Sequence, residues 1–307
     1  MEKIKISAIQ MCSKIGDKKS NIEKVKSLIE RDVDSGTDII ILPEVWTVGW
    51  SPKHFQESAE EIADEQIIRG LEEWSFKNIG MSKNSTEQQT DNSYSSNPIF
   101  HYSSLKFLSS IAKSYSAWVI GGSIITKQRG KFYNTCPVFN REGELVATYS
   151  KNHLFSYYGC DEGKYLEVGN SPVLVDIDGV KVGLTICYDI RFPEIYRAYR
   201  KAGADLLINC AAWGLKKPIP WECMTRSRAV ENQTFMVALT QSGYIENDEW
   251  NIGHSRIIDY KGETISEIKD QKEGAMTAIL EFAPMYEFRE KCKCIDDIRK
   301  SYEVKTV

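Results

Sequence analysis

The chain has 307 residues, 42% hydrophobic and 27% charged, with a net charge of −4. That length buries one large core or two modest ones. Basic and acidic residues are interspersed, and no basic stripe points to nucleic acid. Met1-Glu2-Lys3 leads straight into an apolar alternation without the layout of a signal peptide, and no apolar run approaches the ~20 residues of a membrane span. A cytoplasmic protein with no membrane partner is expected. Eight cysteines and four histidines fall in no zinc-like spacing, so no metal is expected.

Taken in chain order, 3–11 reads as a strand and 17–35 as an amphipathic helix. Ile22, Val25, Leu28, Ile29 and Val33 share one face of that helix. A buried strand over 38–42 runs into Pro43-Glu44. A helix over 105–115 precedes a strand over 118–125 that contains Gly121-Gly122. Strands over 132–140 and 145–149 form a hairpin through Arg141-Glu142-Gly143-Glu144. A second hairpin joins 173–177 to 180–187 at Asp178-Gly179. Helices over 193–202 and 221–232 alternate with strands over 205–211 and 234–240, and two more strands follow at 254–259 and 275–282. This mixed order predicts one layered α/β domain over 1–307. Residues 78–97, rich in Ser, Asn, Gln and Thr, read as an exposed mobile insertion within it.

Three predicted strands end on a reactive side chain, a position that a sheet holds firmly. Glu44 follows Ile39-Ile40-Ile41-Leu42-Pro43. Partial desolvation there suits a carboxylate to proton transfer, though a capping or solvent-facing glutamate reads the same way. Lys151 follows Thr148-Tyr149-Ser150 and is either a solvated charge or, pointing inward, an oxyanion partner. Cys187 sits between the strand Val182-Gly183-Leu184-Thr185-Ile186 and the helix opening at Pro193. It is either a buried inert thiol or a nucleophile near a helix N-terminus.

Together and in this order, Leu42-Pro43-Glu44, Ser150-Lys151-Asn152-His153-Leu154-Phe155 and Cys187-Tyr188-Asp189-Ile190-Arg191-Phe192-Pro193-Glu194 resemble the catalytic signatures of the nitrilase or carbon–nitrogen hydrolase superfamily. Asn209-Cys210-Ala211-Ala212-Trp213 and the stretch Arg226 to Asn232 add to the likeness. The resemblance implies a four-layer αββα sandwich with mixed sheets. It implies Cys187 as nucleophile, Glu44 as general base, and Lys151 with the Tyr188 N–H as oxyanion partners. A second glutamate falls on Glu162 or Glu167; the spacing to Gly169-Asn170 favours Glu162. Tyr157, Tyr158 and Trp213 are the implied pocket walls. Arg191 and Asp189 either bind substrate or, the preferred reading, anchor the turn.

The resemblance also implies a small-molecule amide substrate, no cofactor, a thioester intermediate and a homodimer or higher homo-oligomer. The Cys-Tyr-Asp-Ile-Arg-Phe-Pro-Glu string is similar to the omega-amidase and deaminated-glutathione amidase branch. An N-carbamoyl amine or amino acid hydrolase is the alternative within the superfamily. A catalytically silent scaffold is the alternative outside it, disfavoured because a binder has no need of all three residues.

Overall fold

The computed structural model describes residues 3–62, 103–299, 301 and 303–306. The insertion expected at 78–97 lies outside the described residues. The first half of the fold runs β1 (Lys3–Gln10), α1 (Lys18–Asp32), β2 (Ile39–Ile41), α2 (Phe55–Ser58), β3 (Glu60–Glu61), α3 (Ser104–Tyr115), β4 (Trp118–Ile120), β5 (Ile124–Gln128), β6 (Lys131–Phe139) and β7 (Leu145–Ser150). The second half runs β8 (Leu174–Ile177), β9 (Val180–Ile186), α4 (Pro193–Lys201), β10 (Leu206–Ala211), α5 (Pro218–Asn232), β11 (Phe235–Thr240), β12 (Ser255–Ile258), β13 (Thr264–Ile268), β14 (Gly274–Glu281) and α6 (Ala283–Lys291).

The strands form two mixed sheets. One has the order β14-β1-β2-β4-β6-β5-β3, with β7 also paired to β6; the other has the order β13-β12-β11-β10-β9-β8. Side chains on a strand alternate between faces, and β2 shows what that does. Ile39 and Ile41 point into a core shared with β9, β10 and β11 of the facing sheet. Ile40 and Leu42 point the other way, onto Val25, Leu28 and Ile29 of α1 and Leu108 and Ile111 of α3. The far side of the second sheet is covered by Ile195, Tyr196 and Tyr199 of α4 and by Trp221 and Ala229 of α5. The result is the expected αββα order of layers. Each fully buried isoleucine contributes about 1.5–3 kcal/mol, so both faces of β2 hold it in place.

The helix ends follow local chemistry. Asp17, outside α1, accepts from the Ser20 N–H at 3.1 Å and caps it. α5 begins at Pro218, one turn earlier than the apolar pattern suggests, because proline is well placed in a first turn. The Asp178-Gly179 turn has both residues at positive φ (52° and 90°), as its two-residue hairpin requires.

One expected element is corrected. The strand expected over 118–125 is two strands, β4 and β5, broken at residues 121–123. The cause is Gly122. It adopts φ +63°, and a Cβ built there would lie 2.0 Å from the Pro43 carbonyl oxygen. The chain turns here to let β2 finish against it: the Ser123 N–H donates to Pro43 O (3.0 Å), and its hydroxyl accepts from the Val45 N–H (3.0 Å). These bonds bracket Glu44. Gly122→Ala therefore combines an unfavourable backbone conformation with overpacking, about 1–3 kcal/mol each. The expected loss is about 2–6 kcal/mol in urea denaturation; a variant as stable as the parent would contradict this account of the break.

Candidate active site

Glu44, Lys151 and Cys187 lie one to three residues beyond the C-terminal ends of β2, β7 and β9, and the fold brings them together. Lys151 is buried, with its ammonium 2.8 Å from Glu44 Oε1 and 2.9 and 3.1 Å from the two Glu162 oxygens. Its Nζ also lies 4.9 Å from the centre of the Trp50 ring. The Cys187 thiol is buried, within reach of both the Glu44 and Lys151 charges. Of the two candidate glutamates, Glu162 is the one that the fold brings to Lys151. Glu167 is not brought to the cluster: it is exposed and pairs with Lys131 at 3.7 Å.

Two buried carboxylates side by side need every available donor. The Asn134 amide of β6 bridges them, 2.9 Å from Glu44 and 3.2 Å from Glu162. The Ala212 N–H donates to Glu44 Oε2 at 2.8 Å, and the Phe155 N–H to Glu162 Oε2 at 2.8 Å. Gln241 holds the backbone of Glu44 by donating to its carbonyl at 2.6 Å.

The charge states follow. Burial pulls the Lys151 pKa down, but the Glu162 and Glu44 carboxylates outweigh it and hold the ammonium above its ordinary range. Burial and the Glu44 charge push Glu162 up against the pull of Lys151. Cys187 is pushed well up, by burial first and then by Glu44, with Lys151 opposing. The direction favours the protonated thiol.

Cys187 itself adopts φ +45°, where β9 gives way to a tight turn over Cys187–Arg191. Tyr188 is second in that turn, and its N–H has no partner within it, as at any helix start. Asp189 anchors the turn. One oxygen accepts from the Ile186 N–H (2.9 Å) and the Tyr149 hydroxyl (2.6 Å). The other accepts from the His153 N–H (3.0 Å) and contacts its Nδ1 (2.7 Å). Arg191 does not share this role: it is exposed and lies over the Tyr188 and Trp213 rings at 5.8 and 5.4 Å.

Of the expected pocket residues, Trp213 is buried next to Ala212, and Tyr157 lies beside Tyr188 with ring centres 6.0 Å apart. Tyr158 is exposed at the rim, under the Lys217 ammonium at 4.4 Å. Asn134, Trp50, Gln241 and Lys217 were missed by the sequence reading. A polar residue inside the predicted strand over 132–140 was the one available signal, and it pointed to Asn134. Among the described residues no group of acidic, histidine and cysteine side chains is arranged to hold a metal ion.

A model of the family described as carbon-nitrogen hydrolase matches residues 5–290. The 2-oxoglutaramate amidase of Bacillus subtilis (strain 168) is 30% identical over 96% of this chain and 97% of its own length. Omega-amidase NIT2 of Homo sapiens is 32% identical over 81% of this chain and 79% of its own. The solved structure of Saccharomyces cerevisiae Nit3, of branch 10 of the nitrilase superfamily, superposes with a TM-score of 0.76 at 26% identity, covering 94% of each chain. The chain belongs to the carbon–nitrogen hydrolase family and is an enzyme that cleaves a C–N bond.

Proposed function

We propose that the enzyme hydrolyses small, carboxylate-bearing primary amides through a thioester on Cys187, as an omega-amidase. The observation that carries this reading is the buried cluster in which Lys151 bridges Glu44 and Glu162 while the buried Cys187 thiol feels the charges of all three. The names of the relatives support the substrate class. The Arg191 guanidinium, over the Tyr188 and Trp213 rings, supplies a fork for a carboxylate.

In the proposed reaction Glu44 takes the thiol proton as sulfur attacks the amide carbon. The resulting oxyanion is held by the Lys151 ammonium and the Tyr188 N–H. Glu44 returns the proton to the departing nitrogen, and ammonia leaves a thioester. Glu44 then takes a proton from water, which attacks the thioester and releases the acid and the thiol. Amide and water become acid and ammonia, and no cofactor takes part. Glu162 is a positioning residue, because it touches Lys151 rather than substrate. The reading carries with it a cytoplasmic location and the homo-oligomeric state implied by the family resemblance; no helix among the described residues is long and apolar enough to cross a membrane.

Ammonia release from a panel of ω-amides, N-carbamoyl compounds and nitriles tests this reading. The ω-amides are expected to be the best substrates and Cys187→Ala to release none. Glu44→Gln should lose roughly 10²–10⁴-fold in kcat. Release that persists in Cys187→Ala, or no release from any compound by folded protein, overturns the proposal.

The charge arrangement gives a second expectation. Lys151→Met leaves two carboxylates buried without their cation, at a cost of about 3–5 kcal/mol near neutral pH. A carboxyl whose folded pKa is raised, as for Glu162, destabilises the fold above its unfolded pKa, and increasingly so until the pH passes the folded value. Removing Lys151 raises it further. The stability gap between parent and variant in urea denaturation should therefore be wider at pH 8 than at pH 5; a constant or narrower gap would contradict the assignment of charges.

A further inference from the structure

Beside the triad stands a wall of aromatic rings that carries two cations. Arg191 lies over Tyr188 and Trp213. Lys217, which precedes the first residue of α5, sets its ammonium 4.4 Å from the Tyr158 ring centre and 4.8 Å from that of Phe155. The rings join the two. Phe155 meets Tyr188 edge-on at 5.3 Å, and the Trp213 indole N–H donates to the Lys217 carbonyl at 2.8 Å. Tyr188 follows Cys187, and Trp213 follows Ala212, whose N–H holds Glu44. Both cations therefore border one surface, two of whose rings, Tyr188 and Trp213, are chain neighbours of Cys187 and of the Ala212 donor.

Among the described residues neither cation makes an ion pair or a side-chain hydrogen bond. Lys217 is half-buried; burial and the Arg191 charge pull its pKa below the ordinary lysine value. Two like charges held this way repel each other, and an anionic occupant relieves the repulsion. A carboxylate suits the pair: guanidinium offers a planar fork and ammonium a compact point charge. A substrate with an ammonium beside its carboxylate brings a third positive charge to the same wall, which selects against it.

We infer that Lys217 is a specificity-determining residue that favours ω-amides ending in a bare carboxylate over ω-amides of α-amino acids. This rests on the amidase reading above. Arg191 anchors the anion, and Lys217 adds attraction for the carboxylate and repulsion for a neighbouring ammonium.

The experiment compares kcat/KM for glutaramate, L-glutamine and butyramide in the parent, Lys217→Gln and Lys217→Arg. Glutaramate and glutamine have the same chain length and differ by the α-ammonium; butyramide has neither charge. In Lys217→Gln the glutaramate-to-glutamine ratio should fall by about tenfold or more, the scale of one charge-assisted hydrogen bond. Glutaramate should also fall relative to butyramide. Lys217→Arg keeps the charge and should hold the first ratio within about threefold of the parent. Ratios taken on one preparation are insensitive to partial loss of folded protein. An unchanged ratio in Lys217→Gln, with the parent active, overturns the assignment of Lys217 alone. A parent that hydrolyses none of the three removes the amidase reading, and this inference with it.

Discussion

The site depends on one buried ammonium. Lys151 sits between Glu44 and Glu162 with all three side chains out of water, so two carboxyl groups share one ammonium. Removing such charges from water costs several kcal/mol per ion, and attraction within the cluster offsets that only when the geometry is close and the remaining lone pairs are filled. Here they are filled from several directions: a side-chain amide on β6, the backbone N–H groups of Ala212 and Phe155, and the ammonium itself. These donors come from three segments: β6, the stretch after β7 and the stretch after β10. The cluster is thus assembled by the whole fold, and a local change in any one segment reaches it.

That dependence explains why the reactive side chains stand at strand ends. β2 and β9 are paired on both edges, and β7 is paired to β6 with Tyr149 in the core, so their last residues have little freedom. The turn after β9 adds a second restraint, because Asp189 ties it to Tyr149 and His153 at the end of β7. Cys187 and Lys151 are therefore fixed relative to each other by hydrogen bonds outside the reacting groups. In the proposed reaction this preorganisation lets the oxyanion find its partners without rearrangement. A protonated resting thiol fits the same picture, since the carboxylate that suppresses its ionisation is also the group placed to remove its proton.

The layered α/β class, most element boundaries and the grouping of Glu44, Lys151, Cys187 and Glu162 in space were legible in the sequence. Apolar runs ending in a charged or thiol side chain are a pattern that survives without coordinates, and the signature strings made the grouping specific. The break after β4 was not legible. Gly121-Gly122 inside an apolar run reads as a strand interior, and only the close approach of Pro43 shows why the chain turns there. Asn134 was hidden for a related reason: a polar residue on a strand shows its side, but not which carboxylates face it across the fold. The backbone donors of Ala212 and Phe155 leave no mark in a sequence. Arg191 and Asp189 are near neighbours in the chain yet do different work, because the tight turn points one inward and the other to the rim.

The central claim is that an acyl group passes through the Cys187 thiol. Partitioning with hydroxylamine during turnover of an ω-amide tests it most directly, because a thioester is shared between water and the added amine. The account predicts hydroxamate that rises with hydroxylamine concentration in the parent enzyme and is absent in Cys187→Ala. Ammonia release by the parent with acid as the sole product at every hydroxylamine concentration would contradict it.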